Sequence, residues 1–99
     1  KDYDKLGFID EELTNKNKDK FKLGNIDKGV VITSVKNNSS AKDAGLSAGM
    51  VIVRVGQIED NSLRVIDEAI KNALKQKRKA LLLLVKVKDG SRFVALELK

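Results

Sequence analysis

The dipeptide Asp89-Gly90 stands between two runs of apolar-rich sequence, Ala80 to Lys88 and Ser91 to Leu98. Asp-Gly in that setting is a strong hairpin signal, because both turn positions take positive φ. Along the second run Phe93, Ala95 and Glu97 point one way, and Arg92, Val94, Leu96 and Leu98 the other. A hairpin with one apolar face is marginal alone. It needs further strands, or a helix laid on that face, to bury it.

The rest of the chain supplies both. Gly29 to Val35 reads GVVITSV and Gly49 to Val55 reads GMVIVRV; Val, Ile and Thr dominate, so both are predicted strands. Leu6-Gly7-Phe8-Ile9 reads as a loop entering a short strand. A short helix is predicted after Thr14, which caps it, and Gly24 is expected to close it in a left-handed conformation. Ser39 or Ser40 caps a second short helix through Ala44, ended by Gly45, with Leu46 as the apolar contact beyond the cap. After a loop from Gly56 to Asn61, Ser62 caps the longest helix, Leu63 to about Lys77. Leu63, Ile66, Ala69, Ile70, Ala73 and Leu74 share one face of it. Asp67 and Glu68 near its start and basic residues near its end suit the helix dipole. The expected fold is α+β: a small antiparallel β-sandwich or partly open barrel of five to six strands, capped by two or three helices.

The 99 residues suit a single domain spanning 1–99. The chain begins at Lys1 in mid-pattern, which reads as a piece excised from a longer protein. With no His and no Cys, neither a Ser-His-Asp triad nor a Cys-His pair can be assembled within it. The usual zinc sites are equally unavailable, and the scattered carboxylates show no calcium-loop spacing. No catalytic residue, metal or cofactor is expected. The net charge of +6 raises the question of an anionic partner, and Lys75, Lys77, Arg78 and Lys79 form the densest basic run. That run reads first as a solvated helix end, and no nucleic-acid partner is expected. The longest apolar run, Ala80 to Val85, is far short of the ~20 residues that span a bilayer, so membrane insertion is not expected either.

Three stretches together resemble the PDZ domain family. Lys5-Leu6-Gly7-Phe8 is close to the GLGF loop of that family. Gly29-Val30-Val31-Ile32 followed by Ser39 to Ile52, SSAKDAGLSAGMVI, resembles the bacterial pattern GVVV…SPAAKAGLKPGDVI. Ser62 to Leu74 resembles the helix that follows the next loop. Ala48, Met50 and Gln57 depart from the pattern at turn positions. Leu6-Gly7, Leu13-Thr14, Leu23 and the closing Arg92 to Leu98 are similar to the second PDZ domain of HtrA (Do/Deg) serine proteases.

The resemblance implies a groove that takes an extended peptide as an added strand. Lys5, Leu6, Gly7 and Phe8 would form the loop for the peptide's terminal carboxylate, with Gly7 letting the backbone come close. Ile9, Asp10 and Glu11 would supply the pairing edge. Leu63, Ile66, Asp67 and Ile70 would wall the groove from the helix. Ile70 would close the terminal pocket with Leu6 and Phe8, and Asp67 would favour a basic or hydroxyl-bearing residue upstream. Against this, Leu6, Phe8, Ile66 and Ile70 also suit ordinary core positions, and Asp67 a solvated position paired with Lys71. The implied role is a periplasmic, or otherwise extracytoplasmic, protein quality-control module. It would bind C-termini or unfolded segments and regulate delivery of substrate to a serine endopeptidase domain of the parent chain. The alternative is an oligomer-assembly module that contacts neighbouring subunits, with its groove unused or blocked. A minor third reading is an anionic-surface binder working through Lys75 to Lys79.

Overall fold

The computed structural model describes residues 6–24, 26, 28–58, 62–87 and 90–98. Five strands form one open antiparallel sheet in the order β1-β2-β3-β4-β5: β1 (Phe8–Glu12), β2 (Val30–Val35), β3 (Val51–Val55), β4 (Ala80–Val87) and β5 (Gly90–Glu97). Three helices interrupt them: α1 (Asn15–Phe21) after β1, α2 (Ser40–Asp43) after β2, and α3 (Leu63–Lys75) after β3. Among the described residues the expected order of elements holds, with five strands and three helices, and the sheet stays open.

β2 sets the layers. Val30, Val31 and Ile32 are consecutive and none is exposed, so this strand is covered on both faces. A strand buried on both sides reads as a continuous apolar run, as GVVITSV does. On one face Val30 and Ile32 join Ile52, Leu83, Val85, Val94 and Leu96, closed over by Ala41 and Leu46 of the α2 region and Ile66, Ile70 and Ala73 of α3. On the other face Val31 and Val51 pack with Leu23, Leu13, Phe21 and Ile26 around α1. The β2–β3 ladder pairs Val30 with Ile52 and Val31 with Val51. It continues past the end of β3 through Ile32 N–H to Met50 O (2.8 Å) and Gly49 N–H to Ile32 O (2.7 Å).

The β4–β5 hairpin pairs Ala80 with Glu97 through Val87 with Gly90. Val94, Leu96 and Leu98 are buried while Phe93 is 62% exposed, so the alternation read from the sequence is the one observed. Lys88 and Asp89 of the predicted turn, and Asn61 before α3, lie outside the described residues. Among the described residues no helix is long and apolar enough to cross a membrane.

The N-caps fall on the expected residues. Thr14 Oγ1 accepts from Asn17 N–H while Asn17 Oδ1 accepts from Thr14 N–H, a reciprocal capping box. Ser39 Oγ accepts from Lys42 N–H, and Ser62 Oγ from Val65 N–H. The C-terminus of α1 requires a correction. Gly24 does not close it; Lys22 does, with φ 56°, its N–H donating to Asp19 O and that of Leu23 to Lys18 O. α3 likewise ends at Lys75, not Lys77. Lys77 is left-handed at φ 58°, its N–H reaches Leu74 O and that of Arg78 reaches Ala73 O. Both ends are Schellman closures built on lysine. Apolar packing of Leu23 on the sheet helps to offset the cost of a left-handed side-chain residue at α1. Only α2 uses the glycine expected, Gly45, with Leu46 N–H bonded to Ala41 O.

Two stability outcomes follow from this packing. Leu83→Ala, at a fully buried position, is expected to cost about 2–5 kcal/mol in urea unfolding, while Leu82→Ala, 47% exposed on the other face, changes stability by about 0.5 kcal/mol or less. Equal costs would refute the assigned faces. Lys77→Gly relieves the left-handed lysine and is expected to raise stability by about 0.5–1 kcal/mol; a loss would mean the Lys77 side chain does more than tolerate its backbone.

Candidate functional site

The residues singled out in the sequence come from three separate elements. Leu6 and Gly7 precede β1, Phe8 to Glu11 lie on it, and Leu63 to Ile70 lie on α3. β1 is an edge strand: β2 pairs with one side of it, and among the described residues no strand pairs with the other. Its register with β2 runs from Phe8 opposite Val35 to Glu12 opposite Val30, with an irregularity between Ile9 and Asp10. Thr33, the β2 residue skipped there, donates its hydroxyl to Ile9 O at 3.3 Å.

Gly7 holds the entrance to β1 in a conformation that a side chain would oppose. Its φ is +84°, and a Cβ there would collide with Cβ and Oγ of Ser39. Ser39 is itself fixed, capping α2 and donating to Lys36 O at 2.7 Å. Gly7 O accepts from Lys36 N–H, also at 2.7 Å. The Leu6-Gly7-Phe8 segment is thus pinned against the β2–α2 connection. Lys5 lies outside the described residues.

The apolar members converge. Leu6, Phe8, Ile66 and Ile70 belong to one buried cluster, and Leu63 packs against it half-buried. Leu6 and Ile70 have no exposed surface at all. Ile9 is 55% exposed and Glu11 is exposed, so both stand on the open part of the strand.

The polar members also meet. Asp10 on β1 and Asp67 on α3 are near enough for Asp67 to disfavour the ionised form of Asp10. Burial foremost, then the hydrogen bond to Asp67, then the negative charge of Asp67 push the Asp10 pKa from 3.8 to about 7. Asp10 Oδ2 is buried and without a hydrogen-bond partner among the described residues. The sequence placed Asp10 on the pairing edge and Asp67 on the helix wall, with no sign that the two touch. The pattern that could have shown it is the alternation along β1, which sets Asp10 on the same face as Phe8.

The basic run sits where the helix ends. Lys75, Lys77, Arg78 and Lys79 are all exposed around the α3 C-terminus. A separate concavity of about 550 Å³ lies on another face of α3, between Ala69, Asn72, Ala73 and Gln76 and the turn of Val55, Gly56 and Ile58. It contains none of the residues named for the groove.

The described residues thus combine an open antiparallel sheet, a glycine-held loop before its edge strand and a long helix whose apolar residues share a cluster with that strand. A family model for the PDZ domain matches residues 5–86, and the chain belongs to that family. Among curated proteins it is similar to a "Probable periplasmic serine endoprotease DegP-like" of Bartonella henselae, 46% identical over 68 residues, covering 69% of this chain. A protein of the same description from Brucella suis is 46% identical over 69 residues, covering 70%. The chain spans only 14% of the length of either relative. Among solved structures, the HtrA3 PDZ domain bound to a phage-derived ligand, FGRWV, superposes with a TM-score of 0.73 at 21% identity, covering 93% of this chain and 82% of that one. The EpsC PDZ domain of Vibrio cholerae gives 0.62 at 13% identity, covering 94% and 95%. An HtrA-type protease with a decapeptide gives 0.62 at 19% identity, covering 93% and 27%. At these identities the structural matches establish the fold.

The raised Asp10 pKa fixes a sign for stability. The folded state holds the Asp10 proton more tightly than the unfolded chain, so this contribution is complete below pH 3.8 and is lost as pH rises from 3.8 through about 7. Asp10→Asn is expected to remove that loss and to be the more stable form at pH 8, by about 1–2 kcal/mol after discounting for partial exposure. Thermal unfolding of both forms from pH 4 to 8 measures it, and parallel curves would mean that Asp10 titrates normally.

Proposed function

We propose that this domain binds extended peptide segments, C-terminal ones foremost, by accepting them as a strand between β1 and α3. In this reading Lys5, Leu6, Gly7 and Phe8 receive the terminal carboxylate. Ile9, Asp10 and Glu11 pair with the peptide backbone, and Leu63, Ile66, Asp67 and Ile70 line the helix side. The observation that carries it is the juxtaposition of an unpaired strand edge with a helix whose groove-side residues share a cluster with Leu6 and Phe8. Strand addition needs that free edge, and pockets under alternate side chains give it selectivity. The relatives support a parent of the HtrA/Do type, a periplasmic serine endopeptidase in which the domain hands segments of unfolded protein to the protease. Asp67 on the helix wall favours a basic or hydroxyl-bearing residue upstream of the terminus.

A second reading has a specific observation on its side. Leu6 and Ile70, two of the residues named for the terminal pocket, have no exposed surface. A closed pocket favours an assembly module that contacts neighbouring subunits of the parent oligomer and leaves its groove unused.

Titration with C-terminal peptides, followed by amide shifts in NMR at pH 8, separates the two. Peptide binding predicts saturable shifts at Leu6, Gly7, Phe8 and Ile70 with micromolar affinity, about −8 kcal/mol, and their loss when the peptide terminus is amidated. A folded domain that shows no shift at millimolar peptide refutes the groove and favours assembly.

A further inference from the structure

The outer face of the sheet is covered over only half its width. Over β2 and β3, Val31, Val51 and Val53 pack with Leu13, Phe21, Leu23 and Ile26 around α1. Beyond β3 the same face carries Leu82 and Leu84 of β4 and Phe93 and Ala95 of β5, with Leu82 47% and Phe93 62% exposed. Single exposed apolar residues are ordinary, but these four are cross-strand neighbours. Leu82 pairs with Ala95 and Leu84 with Phe93, so they form one contiguous patch.

The hairpin register also fixes what borders the patch. One row beyond Leu84 and Phe93, Lys86 pairs with Ser91; one row beyond Leu82 and Ala95, Ala80 pairs with Glu97. The patch therefore has a cationic end and an acidic end. Arg54, paired with Leu84, adds to the cationic half, its Nε buried and without a hydrogen-bond partner among the described residues. Lys86 and Glu97 are exposed, and neither has an ion-pair partner among the described residues. Glu97 is level with Ala80, so about 20 Å of strand separates it from Lys86 and the two do not meet within one copy.

We infer that this face docks on a second copy of the chain, in a two-fold dimer whose strands run in opposite directions across the contact. A surface that meets itself does so about a two-fold axis, and two such axes would stack the patches face to face at about 10 Å. An axis along the strands keeps the rows in step. It sets Lys86 beside Lys86 and Glu97 beside Glu97. An axis across the strands inverts the rows. It brings Lys86 of each copy toward Glu97 of the other, twice over, and it lays Phe93 on Ala95, large on small, and Leu84 on Leu82. Charge and side-chain volume select the same axis. The apolar residues named for the groove pack with α3 on the opposite face of the sheet, so the dimer leaves that region free. A patch this small falls below the roughly 800 Å² per partner of a standard interface, so the dimer is weak and forms at high protein concentration.

Sedimentation equilibrium of the 99-residue chain at about 0.15 M salt, from about 10 μM to about 1 mM, tests the dimer. The mass is expected to rise from that of a monomer toward that of a dimer. Phe93→Glu, at an exposed position, is expected to keep the fold and to stay monomeric throughout. Lys86→Glu and Glu97→Lys each create two like-charge contacts, and each is expected to weaken the dimer roughly 3- to 30-fold. Combined in one chain they swap the charges and are expected to restore it to within about threefold. Lys86→Glu lowers the net charge of +6, which by itself favours association, so weakening there reports the specific contact. Amide spectra check that every variant is folded. A chain that stays monomeric at the highest concentration would overturn the dimer. Association that Phe93→Glu leaves intact would do the same, because it then uses another surface. A double variant no stronger than either single one would overturn the two-fold arrangement.

Discussion

Everything in this domain is arranged around a strand that water cannot reach from either side. Val30, Val31 and Ile32 follow one another in β2 with no exposed surface, which the two-fold alternation of a strand allows only if both faces of the sheet are covered. α1 with Phe21 and Leu23 covers one face; α2 and α3 cover the other. With β2 committed on both faces and on both hydrogen-bonding edges, β1 becomes the rim. α3 is then brought alongside that rim by the apolar residues it must bury, Ile66, Ile70 and Ala73. The candidate groove is thus a by-product of how the core is closed.

An unpaired strand edge is a hazard as well as a resource, since it accepts any strand of matching register. β1 is short, and three of its five residues are acidic: Asp10, Glu11 and Glu12. Charge on an edge strand discourages indiscriminate pairing. The rim therefore carries its own selectivity, set by which strand can tolerate or neutralise those carboxylates. Asp10 differs from its neighbours in facing the helix, where burial and Asp67 penalise its ionised form.

Much of the fold was legible because local chemistry and tertiary demand agree. The alternation of Val94, Leu96 and Leu98 against Phe93 marked the buried face of β5, and three hydroxyl residues, Thr14, Ser39 and Ser62, marked the helix starts. Helix ends were less legible. Gly24 looked like the cap of α1 and Lys22 is the cap, because the left-handed position is set by where Leu23 must reach the sheet, and lysine tolerates it at modest cost. Of the residues named for the site, the structure places Leu6, Phe8, Ile66 and Ile70 in one cluster. What no local pattern could supply was the meeting of Asp10 and Asp67, separated by 57 positions along the chain and joined only by the packing of α3 beside β1.

The packing of α3 beside β1 also bears on how the two readings of Leu6, Phe8, Ile66 and Ile70 relate. Core residues and pocket residues are usually opposed, since a side chain with no exposed surface has nothing to offer a ligand. Here the distinction depends on the separation of two elements. If β1 and α3 are held together, the four residues are core; if a strand is admitted between them, the same residues become the floor of its pocket. Admission parts apolar surfaces of strand and helix that otherwise cover each other. That cost is offset by the backbone bonds and the apolar side chain that the incoming strand brings.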